Sequence, residues 1–484
     1  MSMNRREFLG LMAAGAAGLA SEAAAGAKRP NLILIMADDL SARAIGCYGH
    51  RTHRTPNLDA LAKGGVMFRT CWANPICSPS RAEIMTGRYG FRTRWFHNNM
   101  KPSGRDPGYD LAKSQVLFSE VLKAAGYATC MAGKWQLSGR HPTRVFDHGF
   151  DEYCMWAGMT GGLPPGHRFD GPIEKKGMSL PGRAARYWHP AIVRNAKHVP
   201  TKPDDYGPDM FVDFLNDFIG RHRHGPFLAY FPMCLPHKSW DFELNRATYV
   251  PVPELDANGR RTGRRTKDTL RSNVEYIDHL VGRLVARLDQ LGIRNDTIVM
   301  FTCDNGTAGY GKGRTTMEHG PRVPMIVNCP GRVKAIGPCD ELTDFSDVLP
   351  TLAELAGARL PADWVIDGKS FAPVLRGEPG HRQWVFSCYA TARFLRDKRW
   401  LRDGDGKFWD CGDRRDEKGY KDVTTSADPE AVAARDRFAK ILEGLPAPDP
   451  NDPVVARFND QRRKRREARR RRKKQAKSPR TRKE

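Results

Sequence analysis

Cys77-Ser78-Pro79-Ser80-Arg81-Ala82-Glu83-Ile84-Met85-Thr86-Gly87-Arg88 is the stretch from which the rest of this chain is best understood. Ser78 suits a helix N-cap and Pro79 a first helical position, so a short helix is expected over 79–85, stopped by Gly87. Cys77 then lies just outside a helix N-terminus, where free backbone N–H groups and the dipole favour an anion. The competing role is a buried structural cysteine at a turn.

On either side, short apolar runs ending in polar residues alternate with helical patterns, which predicts a largely parallel sheet flanked by helices. The run 32–36 ends at Asp38-Asp39, a strand over 127–131 ends at Lys134, and 227–231 leads to Pro236-His237. Helices are expected over 116–125, closed by Gly126, and over 270–291. The second carries Val274, Ile277, Val281, Leu284 and Leu288 at a 3.6 period and stops at Gly292. A strand over 297–302 ends at Asp304-Asn305. Polar residues therefore collect at the carboxyl ends of buried strands, where open α/β sheets bind their ligands. Asp38, Asp39, Asp304 and Asn305 offer hard oxygen ligands that suit Ca²⁺ or Mg²⁺ and not zinc.

The stretch 258–265 reads as an exposed basic loop. The main α/β domain is expected over 28–379, a smaller domain with Trp384, Trp400 and Trp409 over 380–446, and a basic disordered tail over 447–484. From residue 461 onward, fifteen Lys/Arg stand against two Glu. That segment supplies +13 of the net +24 and leaves +11 for the remainder. Such a tail is either a solvated extension or an electrostatic tether to a polyanion.

Residues 1–27 read as a twin-arginine signal peptide, with Asn4-Arg5-Arg6-Glu7-Phe8-Leu9-Gly10 before a short, weakly apolar stretch. This implies a partnership with the twin-arginine export machinery and a periplasmic or secreted protein; nucleic acid is not an expected partner. Eleven cysteines in 484 residues do not make a disulfide scaffold, and no C-x-x-C pair suggests zinc or redox work.

The twelve residues from Cys77 to Arg88 resemble the signature of the formylglycine-dependent sulfatases, and the likeness by motif extends over about 30–330. The resemblance implies an alkaline-phosphatase-like α/β fold with a smaller C-terminal α+β domain. It also implies that a formylglycine-generating enzyme oxidises Cys77 to an aldehyde. In the hydrated aldehyde, one hydroxyl attacks sulfur and the other later expels sulfate. Asp38, Asp39, Asp304 and Asn305, with residue 77, match the family's metal site. Arg81, one helical turn after Cys77, would orient the formylglycine. Lys134, in Gly133-Lys134-Trp135, would contact sulfate, and His237 would support protonation of the leaving group. Lys312, upstream of the 318–324 stretch Glu-His-Gly-Pro-Arg-Val-Pro, matches the second sulfate-binding lysine, with Arg314 as the alternative.

One departure stands out. Gln136 occupies the place of a family histidine thought to take a proton, and an amide cannot serve as a base near neutral pH. His97 and His141 are the candidate replacements. The resemblance implies a sulfatase acting on sulfate monoesters of a small molecule, an aryl sulfate or a polysaccharide. The alternatives are a phosphonate or phosphate ester hydrolase of the same superfamily and a weakly active polyanion-binding relative. Substrate choice is expected to lie in the loops 91–110 and 155–198.

Overall fold

The computed structural model describes residues 28–98, 111–112, 114–137, 144–158, 185–241, 246–453, 455–460, 463–464 and 467–468. Its frame is an eleven-stranded mixed sheet. In chain order the strands are β1 (Asn31–Ala37), β2 (Val66–Trp72), β3 (Ala128–Gly133), β4 (Glu152–Trp156), β5 (Ile192–Arg194) and β6 (Lys197–Val199). They continue with β7 (Phe227–Pro232), β8 (Thr297–Cys303), β9 (Arg322–Val323), β10 (Met325–Asn328) and β11 (Gly337–Asp344). The neighbours β8, β1, β7, β3 and β4 all run parallel. Beyond β8 the sheet turns antiparallel through β10 and β2, and beyond β4 through β5 and β6. All seven residues of β1 are buried, as its unbroken apolar run requires of a strand covered on both faces.

Helices flank this sheet in two groups. Pro56–Lys63 and Gly207–Arg221 both contact Leu270–Gln290 in one group; Cys77–Thr86, Phe118–Ala124 and Val348–Ala356 contact one another in the other. The predicted amphipathic helix is Leu270–Gln290, with Val274, Ile277, Val281, Leu284 and Leu288 all buried. Thr269 caps it by accepting from the Ser272 N–H, and Gly292 follows it at φ +67°.

Two sequence expectations are corrected. The helix bearing residue 77 begins at Cys77 itself, with Ile76 as N-cap, and Ser78 makes no capping bond. Ser80 ties this turn instead: its Oγ accepts from the Asn74 N–H at 3.0 Å and lies 3.1 Å from the Ile76 carbonyl. The freed Ser78 N–H donates to Asn98 Oδ1 at 2.9 Å. The basic loop at 258–265 is indeed exposed, but Arg261–Arg265 forms a strand antiparallel to Pro253–Leu255. The turn residues Asn258 and Gly259 close a hairpin there.

The smaller C-terminal unit is a five-stranded antiparallel sheet, each strand pairing with the next, from Val385–Tyr389 to Lys421–Asp422. The helix Pro429–Glu443, capped by Asp428, packs Ala431, Ala434 and Phe438 onto Phe386, Leu395 and Phe408. The chain stays packed beyond 446, because Val455 and Phe458 are buried with Ala390. The signal segment 1–27, His141 and the end of the basic tail lie outside the described residues.

Two buried arginines anchor the small sheet to the large one. Arg382 reaches Asp344 and Asp347, and Arg396 donates to Glu318 at 2.7 Å with both side chains fully buried. Glu318 also accepts from Trp72 and Tyr420. Burial alone would raise its carboxyl pKa, but Arg396 and Arg322 hold it below the usual range. Glu318→Ala leaves a buried guanidinium uncompensated and is expected to cost about 3–5 kcal/mol in urea unfolding. Replacing the pair together by Leu and Met is expected to cost clearly less; equal losses would assign the effect to packing alone.

Candidate active site

Four parallel strands deliver the polar residues to one place. Asp38 and Asp39 follow β1, Asp304 and Asn305 follow β8, Lys134 follows β3, and His237 lies beyond β7. Backbone bonds continue the strand pairing past the strand ends. The Met233 N–H donates to the Met36 carbonyl, the Asp38 N–H to the Leu235 carbonyl and the Asp304 N–H to the Ala37 carbonyl. Ser41 and Thr307 clamp the two acidic loops reciprocally, each N–H donating to the other's hydroxyl at 2.9 and 2.8 Å. Gly133 sits at φ +124°, and a Cβ there would lie 2.0 Å from the Pro232 carbonyl. Glycine therefore lets β3 close on β7 just where Lys134 leaves the sheet. Asp39 itself takes φ +71°, a costly backbone conformation for a residue with a side chain.

Ligand atoms of Asp38, Asp39, Cys77 and Asp304 all lie within 4.8 Å of one another, and all four residues are buried. Cys77 Sγ is 3.7 Å from both Asp38 Oδ1 and Asp39 Oδ1. The cations interleave with the acids. Lys134 Nζ donates to Asp38 Oδ2 at 2.6 Å, and Lys312 Nζ to Asp39 Oδ2 at 2.8 Å. Arg81 donates to Asp304 Oδ2 through Nε and Nη2 and to the Lys134 carbonyl through Nη1. Between the two basic candidates, geometry favours Lys312: Arg314 is partnered with the Gly309 carbonyl at an exposed position. His237 places Nε2 3.7 Å from Asp39 Oδ2, with Nδ1 at 2.6 Å from the Lys238 carbonyl. A carbonyl only accepts, so Nδ1 carries the proton and the Nε2 lone pair faces the site.

The charges are strongly coupled. Burial would raise the Asp38 pKa, but Lys134, His237 and Arg81 hold it well below the carboxylate range. Burial and the neighbouring Asp38 push Asp304 up to about 6. Burial and Lys312 push His237 down to about 3, and burial pushes the Cys77 thiol up to about 12. Three carboxylates this close resist joint ionisation, the condition that a divalent cation relieves. Asn305 Oδ1 adds a further signal: among the described residues it is buried without a hydrogen-bond partner, while its amide donates to Asp39 Oδ1 at 2.8 Å. An unpaired buried acceptor beside three carboxylates fits a hard, oxygen-liganded cation.

Gln136 has φ +60°, and its Oε1 is buried without a partner among the described residues. His97 lies against the small sheet, with Nε2 3.3 Å from Tyr389 Oη and its ring on Phe458. One residue escaped the sequence analysis. Arg186 is buried, 3.8 Å from Asp38 Oδ2, in a segment whose sequence carries no catalytic pattern.

A doubly covered parallel sheet with acids, cations and a helix N-terminus at its carboxyl edge forms a site suited to an anionic substrate. Comparison narrows the class. The sulfatase family profile matches residues 30–358. Mouse steryl-sulfatase is 32% identical over 458 residues, covering 77% of this chain and 69% of that protein. Human arylsulfatase A is 33% identical over 398 residues, covering 76% and 71%. The crystal structure of Ps i-CgsB in complex with k-i-k-neocarrahexaose shares the fold at TM-score 0.66 and 23% identity, covering 85% of this chain and 92% of that one. The chain belongs to the sulfatase family, and its activity class is sulfuric ester hydrolysis.

If the cation site is as drawn, calorimetric titration with Ca²⁺ or Mg²⁺ should show saturable binding. Asp304→Ala should weaken it by at least about tenfold. Unchanged affinity in that variant would remove Asp304 from the ligand set.

Proposed function

We propose that this sulfatase hydrolyses sulfate monoesters through residue 77 carried as formylglycine, together with a divalent cation, Ca²⁺ or Mg²⁺. Asp38, Asp39, Asp304 and Asn305 would hold that cation. The observation that carries the proposal is the placement of Cys77: first residue of a buried helix, within 3.7 Å of two carboxylates and ringed by Lys134, Lys312 and Arg81. Burial pushes the unmodified Cys77 thiol up to about 12, which favours the protonated form over the thiolate. Oxidation supplies a hydrated aldehyde, whose hydroxyl is the oxygen nucleophile, and the cation supplies Lewis-acid polarisation of a sulfate oxygen.

The chain's own residues do the rest. Lys134 and Lys312 stand on opposite carboxylates of the pit, so their ammonium groups can bracket a sulfate between them. Arg81 locks the residue-77 helix to β3 through the Lys134 carbonyl and to β8 through Asp304. His237 presents Nε2 to the site. A bound anionic ester brings negative charge beside it, which raises an imidazole pKa and lets that nitrogen hold a proton for the departing oxygen.

Relatives named for steryl and aryl sulfates, and a structural relative bound to neocarrahexaose, support an organic sulfate monoester, from aryl sulfate to sulfated polysaccharide. The twin-arginine pattern at Arg5-Arg6 supports export to the periplasm or beyond, after a formylglycine-generating enzyme has acted.

Mass spectrometry of the peptide bearing residue 77 should show a loss of about 18 Da from cysteine, as conversion of thiol to aldehyde requires. The mature protein should turn over an aryl sulfate well above an aryl phosphate, and Cys77→Ala should be inactive yet folded. Preference for the phosphate would move the chain to the phosphonate and phosphate hydrolases.

Gln136→His restores a titratable group two residues after Lys134. Steady-state turnover is expected to rise, by up to about 10²-fold for general-base help, with a new pH dependence near 6–7. A loss of activity in this variant would show that Gln136 is fitted to its place and that the proton leaves by another group.

A further inference from the structure

Arg186 is a cation that the proposed chemistry does not use. Its side chain is 3% exposed and its guanidinium lies 4.2 Å from the centroid of the Trp156 indole. The adjoining backbone is fixed: the Ala191 N–H donates to the Ala185 carbonyl, and the Tyr187 hydroxyl shares its one proton between the carbonyls of Cys234 and His237, at 2.7 and 2.6 Å. This last pair ties Arg186 to the segment that presents His237. Among the described residues, Arg186 faces Asp38, at 3.8 Å from Nη1, too far for a hydrogen bond. That same oxygen, Asp38 Oδ2, is already taken by Lys134 at 2.6 Å. Among the described residues, Arg186 Nε and Nη1 are buried without a hydrogen-bond partner.

A buried guanidinium with two unpaired donors is a costly arrangement, and proteins keep one where a ligand completes it. Charge points the same way. Asp38, Asp39 and Asp304 face Arg81, Lys134, Lys312 and Arg186, so the pit holds one more positive group than it has carboxylates, before any divalent cation. The planar fork of an arginine matches the oxygens of a sulfate or carboxylate, and stacking on an aromatic face fixes its plane.

We infer that Arg186 is a specificity-determining residue that donates Nε and Nη1 to an oxyanion of the substrate. The inference rests on the sulfate-ester reading of the site. The oxyanion is either the sulfate to be removed or an anionic group next to it on the same molecule, and kinetics distinguish the two.

The test uses the full mature protein, with Arg186→Gln and Arg186→Lys. Wild-type turnover of a monosulfated aryl ester checks the underlying reading by itself; its absence would fell that reading and this one together. With the wild type active, KM in Arg186→Gln should rise on the order of ten- to a hundredfold while kcat stays within about threefold. Arg186→Lys, which keeps the charge but not the fork, should lie between. Inorganic sulfate should raise the melting temperature of the wild type. A smaller shift in the variants, with a higher inhibition constant for sulfate, assigns Arg186 to the transferred group. An unchanged sulfate response, with the KM rise confined to a disulfated sugar, assigns it to the neighbouring anion. Wild-type KM for both substrates and a wild-type sulfate shift in Arg186→Lys would overturn the inference, whether or not Arg186→Gln folds.

Discussion

Three carboxylates buried within a few ångströms of each other set the terms for the whole molecule. Asp38, Asp39 and Asp304 cannot lie there unless positive charge is brought to them, because the interior screens their repulsion poorly. Each compensating group comes from a different part of the chain. Arg81 arrives from the residue-77 helix, Lys134 from the end of β3, and Lys312 from the loop after β8. The order β8, β1, β7, β3 brings those ends together, so sheet topology and site electrostatics are one constraint. The Ser41–Thr307 clamp and the close approach at Gly133 hold the loops in the geometry this compensation needs.

The small C-terminal sheet belongs to the same construction. The Cys388 N–H donates to Asn74 Oδ1 at 3.0 Å, and Ser387 Oγ donates to the Ala73 carbonyl at 2.8 Å. Asn74 also donates to Ser80 Oγ and to Glu83 Oε2, inside the residue-77 helix. A sheet far along the chain thus braces the turn on which Cys77 stands. Support of this kind is what keeps a reactive group in fixed register with its partners.

Much of this was legible in the sequence, for a physical reason. Buried parallel strands need long apolar runs, and their ends must turn polar, so Asp38, Asp39, Lys134, His237, Asp304 and Asn305 announced themselves at strand termini. The helix Leu270–Gln290 followed from its period. What escaped depended on partners remote in sequence. Ser78 resembles a cap, but Ser80 and Asn98 tie that turn, the latter from outside the helix. Arg261–Arg265 has loop composition, yet pairing with Pro253–Leu255 makes it a strand. Arg186 has no local pattern at all; only the folded sheet brings it within 3.8 Å of Asp38. Val455 and Phe458 look like the start of a charged tail until their burial beside Ala390 is seen.

The burial of Cys77 makes the history of each molecule matter. At 1% exposure, as the opening residue of a helix whose ten residues are all buried, its sulfur is closed to any other protein once the fold is complete. Under the proposed maturation, an enzyme that oxidises Cys77 would have to act on a chain still extended, in competition with helix formation and docking of the small sheet. The outcome would then be permanent for each copy: a chain that folds first would keep its buried thiol, and the active fraction of a preparation would record how it was synthesised. All eleven cysteines stand unpaired, so no disulfide would separate the two populations, which would share one fold and differ at a single side chain.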